Sequence, residues 1–157
     1  MVILGISIGT RSSGIAILDN GELTAWNTLS FRNEWSEKKA SRIISRYESY
    51  LKNHKVTAVI LKIPPLSHQT EAILSLLQKL QDLIGFHGCM VEYKTKAEIK
   101  EAIPDMRNTK DIMNHVATLY PCLIPEQTQE LAIKNSYHNK MFEAVMVAHL
   151  CRLKSDK

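Results

Sequence analysis

Ile3–Leu18, ILGISIGTRSSGIAIL, is the stretch whose reading decides the fold. Val2–Ile8 is almost wholly apolar, as a strand covered on both faces would be. Gly9-Thr10-Arg11-Ser12-Ser13-Gly14 is a turn, and Gly14–Leu18 is a second apolar run. A glycine-rich turn of this kind usually follows an acidic residue at the tip of the first strand, where it holds a metal or a phosphate. Here that place is taken by Ser7, and the turn itself offers Arg11, Ser12 and Ser13 as donors to an oxyanion.

Outward from the turn, Asp19-Asn20-Gly21 is a hairpin signal, because Asn-Gly accepts the positive φ angles a tight turn needs. Glu22–Phe31 then reads as a third strand and completes an antiparallel meander. Helical spacing follows. Ala40, Ile43, Ile44, Tyr47 and Leu51 share one stripe, and Lys38, Lys39, Arg42, Arg46 and Lys52 stand opposite with Glu37 and Glu48 among them. Val56–Ile63 is a buried strand ended by Pro64-Pro65. His68–Phe86 reads as a long helix whose leucines and isoleucines cover more than one stripe, so it is either buried on two sides or meets another subunit. Gly88–Tyr93 is a fifth strand. Thr95 and Thr109 are caps for short helices over 96–103 and 110–120. A loop is expected over Pro121–Gln129, and a last helix from about Ser136 to Lys154. Strand–helix–strand–helix–strand after a meander predicts an α/β fold, a mixed five-stranded sheet with helices on both faces.

Composition narrows the function classes. The 157 residues lead us to expect a single domain, residues 1–157, and 45% hydrophobic content excludes a disordered chain. The net charge of +4, from 20 basic and 16 acidic residues, is a weak pointer to a polyanionic partner. Cys89, Cys122 and Cys151 form no Cys-x-x-Cys pair, which argues against a zinc site or disulfide framework and for a reducing cytoplasm. The six histidines show no metal-ligand pairing. The opening has neither a basic n-region nor a long h-region, so no signal peptide is expected, and no run approaches the ~20 apolar residues of a membrane span. "EYKTKAEIK" at 92–100 alternates charge with apolar residues and reads either as a strip along a DNA backbone or as a solvated loop and helix start.

Three places together carry a resemblance: the opening stretch, "VTAVILKIPP" at 56–65, and "YHNKMFEAVMVAHL" at 137–150. Their order and spacing resemble the ribonuclease H-like superfamily, and within it RuvC, the Holliday-junction resolvase family. That family usually reads Gly-Ile-Asp-Pro-Gly at the first place, a strand ending in Glu at the second, and Asp-Ala-Ala-Asp on the last helix. Carried over, the first Asp falls on Ser7, the Glu on Lys62, and the final pair on Lys140 and Glu143. One carboxylate of four remains. Thr109-Lys110-Asp111 is similar to a family segment that brings a lysine near the active centre, which makes Lys110 a further candidate.

What the resemblance implies for active relatives is hydrolysis by two Mg²⁺ ions, which want carboxylate oxygens at fixed places. This chain puts an ammonium at 62 and another at 140. At ~4 Å and an effective dielectric of ~20, two unit charges interact by about 4 kcal/mol, and a dication meets roughly twice that. No cofactor is therefore expected here. Glu143 is expected to pair with Lys140 or Lys62. A cationic pocket built from Arg11, Ser12, Ser13, Lys62, Lys110 and Lys140 would instead hold a phosphate directly. The expected function is a degenerate, catalytically inactive or strongly impaired RuvC-like nuclease homologue that binds branched or duplex DNA. The alternative is an interaction module that kept the fold without DNA binding. Both imply a homodimer through helix 68–86. "GISIGTRSSG" also looks like the phosphate loop of the actin–hexokinase kinases, but those need two lobes and an Asp where Ser7 stands.

Overall fold

The computed structural model describes residues 1–103, 105–133 and 138–151. Strands β1 (Val2–Ser7), β2 (Ser12–Asp19) and β3 (Glu22–Ser30) form the expected meander. Asn20 and Gly21 make its tight turn with φ of 52° and 87°. Helix α1 (Glu37–Asn53) then leads to β4 (Ala58–Lys62), and α2 (Glu71–Phe86) leads to β5 (Met90–Lys94). The sheet order is β3-β2-β1-β4-β5, with β1, β4 and β5 parallel to one another in sequence.

The alternation of each strand sorts its side chains between two cores. Leu4, Ile6, Val59 and Leu61 point to the face covered by α1 and α2, where Ile43, Tyr47, Leu76 and Leu80 meet them. Ile3, Ala58 and Ile60 point to the other face. There they meet α3 (Lys96–Ala102), α4 (Thr109–Leu119) and α6 (Asn139–His149). Helix α6 lies unusually low on the strands. A Cβ at Gly14 would sit 1.9 Å from the Lys140 carbonyl oxygen, and one at Gly5 would sit 2.3 Å from that of Ala144. Only glycine at these two places lets the helix backbone touch the sheet.

Four expectations need correction. Thr109 is the first residue of α4 and not its cap, because Asn108 caps the helix by accepting from the Asp111 amide. The chain over 121–129 is not a loop: a 3₁₀ turn, Pro121–Leu123, runs into α5 (Ile124–Ile133). Pro125 sits in the first turn of α5, where no amide hydrogen is needed, so the prolines start helix here rather than break it. Helix α2 begins at Glu71, not at 68, because Thr70 caps it by accepting from the Ile73 amide, and Leu66–His68 is a separate 3₁₀ turn. The helix expected over 136–154 is α6, and residues 136, 137 and 152–154 lie outside those described.

Candidate nucleic-acid interface

Parallel pairing of β1 with β4 puts Ser7 directly beside Lys62 at the carboxyl ends of two neighbouring strands. Alternation turns both toward α6. The first turn of α6 brings Lys140 and Glu143, three residues apart, over the same ends. The four positions singled out in the sequence do converge.

Their bonding is asymmetric. Ser7 Oγ donates to Glu143 Oε1 at 2.9 Å, and Lys62 Nζ lies 3.0 Å from Glu143 Oε2. Both carboxylate oxygens are thus engaged by neighbours. The Lys62 and Glu143 side chains are only 12% and 11% exposed, so this pair is shielded from water. Lys140 is left without the carboxylate and donates instead to the Ile8 carbonyl at 3.3 Å. Gly9 makes room for it: a Cβ there would lie 2.9 Å from Lys140 Cε. Burial pulls the Lys140 pKa below the ordinary lysine range; Glu143 opposes that shift and Lys62 adds to it.

Above this cluster is a cleft of about 380 Å³. Arg11, Ser12, Lys62 and Lys140 line it as expected. His68 and Thr70 line it too, and the sequence reading missed them. Their signal was Pro64-Pro65, which turns the chain back across the end of β4. Two candidates do not join. Ser13 is fully buried; its hydroxyl reaches the Ser7 carbonyl at 3.1 Å and the Tyr47 hydroxyl, so it supports β1 from beneath and cannot meet a ligand. Burial raises the Tyr47 pKa, which keeps that phenol neutral as a partner. Lys110 is exposed in the first turn of α4 and is not part of the cleft wall.

A second charged cluster adjoins the first. Lys94 is the register partner of Lys62 on β5 and is nearly fully buried. It pairs with Glu92 at 3.1 Å and Glu98 at 3.4 Å. Within the "EYKTKAEIK" stretch Lys94 turns inward to Glu92 and Glu98, while Lys96 and Lys100 are exposed. Among the described residues no group of three or more His, Cys, Asp or Glu could hold a metal ion.

No protein-family model matches the chain, and no curated protein matches it by sequence. Solved structures do match. The Thermus thermophilus RuvC bound to a Holliday junction substrate superposes with a TM-score of 0.72 over 95% of this chain and 90% of its own, at 17% identity. The fold is that of the Holliday-junction resolvases. The fowlpox virus resolvase, solved with Holliday junction DNA, covers 100% of both chains with a TM-score of 0.61 and 12% identity. The yeast mitochondrial Holliday junction resolvase gives 0.61 over 94% of this chain, at 8% identity. At such identities the likeness establishes the resolvase fold and nothing of activity.

The residues present do not fit the Mg²⁺ ions expected for active members of that family. A hard dication needs several free carboxylate oxygens. The only carboxylate of the Ser7–Lys62–Glu143 cluster already accepts from a hydroxyl and an ammonium, and Lys140 adds a second positive charge beside it.

Proposed function

We propose that this chain is a catalytically inactive or strongly impaired RuvC-like nuclease homologue that binds nucleic acid, branched or duplex DNA, through the cationic cleft that Arg11, Ser12 and Lys140 line above the Lys62–Glu143 pair. One observation carries the reading: Lys62 is neutralised by Glu143 at 3.0 Å while Lys140 is not, which leaves the cluster one positive charge in excess. A phosphodiester carries one negative charge. It would complete the balance without a metal, with Arg11 and Ser12 as further donors at the rim. The proposed location is cytoplasmic. No helix among the described residues is long and apolar enough to cross a membrane.

A homodimer through α2 belongs to the same proposal. Leu74 on its outer face and Phe86 at its end stand 51% and 83% exposed. The alternative, an interaction module without DNA binding, draws on the same helix.

Binding to four-way junction, duplex and single-stranded DNA across a salt series tests the reading. The expected result is junction or duplex binding that weakens steeply with salt. It should also weaken as pH climbs toward the ordinary lysine range, because the depressed pKa of Lys140 makes its charge the first to go. No binding at low salt would favour the interaction module. Cleavage with Mg²⁺ or Mn²⁺ that Glu143→Ala abolishes would overturn the inactive assignment.

A further inference from the structure

The cleft does not end at Arg11. Thr10 and Arg11 also line a second hollow, of about 780 Å³, that runs past Phe31 and Arg32. That hollow shares Ser30–Asn33 and Lys39 with a third, of about 630 Å³, which reaches along α1 to Arg42 and Arg46. The three form one trough from the strand ends to the outer face of α1. The Phe31 amide donates to the Arg11 carbonyl at 2.7 Å, which ties the two loops of its floor together.

The charges along the trough have been sorted by the fold. Glu37 turns to Lys79 at 3.2 Å, and Glu48 to His87 at 2.9 Å and Lys52 at 3.8 Å. Among the described residues, Arg11, Arg32, Lys38, Arg42 and Arg46 form no ion pair, and all are exposed. Lys38, Arg42 and Arg46 are four residues apart on one side of α1, three cations over about 12 Å. Among the described residues Glu34 is the single acid on the wall. Serine hydroxyls at 41 and 45 alternate with the cations, and Phe31 is half-buried on the wall of both hollows.

We propose that this trough holds a single nucleic-acid strand leaving the cleft, with Lys38, Arg42 and Arg46 on its phosphates and a base against Phe31. The inference rests on nucleic-acid binding at the cleft and adds a path and a strand type to it. A single strand is favoured over a duplex because an aromatic face inside a hollow can meet only an unpaired base.

The test compares a blunt four-way junction with the same junction carrying an oligo-dT tail of about ten nucleotides, by fluorescence anisotropy. The wild type should bind the tailed form about tenfold more tightly. Lys38→Gln/Arg42→Gln/Arg46→Gln should remove that gain and lower the salt slope for the tailed form by about 2, while binding of the blunt junction stays as it was. Phe31→Leu, which keeps the apolar packing but loses the ring, should reduce the gain with no change in salt slope. Equal affinity of the wild type for blunt and tailed junctions, or a gain that survives the triple variant, overturns the trough and leaves the cleft standing. Blunt binding untouched by Lys140→Met overturns the cleft, and with it the strand path that leaves the cleft, whatever the tail gain does. No binding of either probe by the wild type overturns both.

Discussion

At the strand ends, Lys62 holds its ammonium 3.0 Å from Glu143, in a place almost closed to water. A short way along the same surface, Arg42 and Arg46 stand exposed and reach no acid among the described residues. Both regions are built from basic side chains, and the sequence does not distinguish them. Location does. A charge taken out of water must be matched at once, so the interior lysine is spent on the fold. A charge left in water needs no partner and stays available to one. Lys140 lies between the two cases: partly buried, held by a carbonyl, with no carboxylate paired to it among the described residues.

The largest effect should come from the closed end. Lys62→Met leaves the Glu143 carboxylate buried with only the Ser7 hydroxyl and the more distant field of Lys140. We expect a loss of about 3 kcal/mol or more in urea unfolding. Lys62→Met/Glu143→Leu, which removes both charges and fills their space, should recover most of it. A single variant as stable as the wild type would mean that the pair is open to water, and the contrast between the two regions would be lost.

The distinction between these regions was partly legible beforehand. The meander was readable because Asn20-Gly21 specifies its turn and because Val2–Ile8 admits only a buried strand. The convergence at 7, 62, 140 and 143 was legible only through the family resemblance, which supplies the four positions; the three-residue spacing on α6 agrees with it. The choice Glu143 makes between two lysines was not. It depends on Gly9 leaving room for Lys140 to reach the Ile8 carbonyl instead, a contact between chain positions 132 apart. Ser13 does not serve as the expected donor: it has the residue type of a ligand contact, but strand alternation turns it inward at a place the hydrophobic pattern does not mark. The loop expected over Pro121–Gln129 is helical because Pro125 stands in the first turn of α5, where a proline is compatible with helix. The trough was invisible because acids and bases intermingle along α1 in sequence and separate only when α2 draws the acids to its side.

Lys140 should give the intermediate effect. Its burial costs stability only while it is charged, so Lys140→Met should be neutral or stabilising near neutral pH, by up to about 1 kcal/mol. The sign of the pH dependence follows from the depressed pKa. In the window between the folded value and the ordinary lysine range, the unfolded chain binds the proton more readily, so wild-type stability gains from this group as pH rises. The advantage of the methionine variant should therefore shrink across that window in unfolding curves taken at increasing pH. An advantage that grows instead would show that Lys140 is better paired than its carbonyl contact accounts for.

The smallest effect should come from the open end, and its direction is informative. Lys38, Arg42 and Arg46 form two like-charge neighbours at four-residue spacing, each of which costs a helix about 0.2–0.5 kcal/mol at low salt. Replacing all three with glutamine should stabilise the protein slightly, by roughly 0.5 kcal/mol in dilute buffer. Molar salt should erase the difference by screening the charges in both proteins. The expected result thus opposes that for Lys62: the cations proposed to serve a ligand weaken the fold a little, while the cation that serves the fold is withdrawn from any ligand. A triple variant less stable than the wild type would mean that these side chains brace α1 as Lys62 braces the cleft, and the division of labour between the two regions would fail at its weaker end.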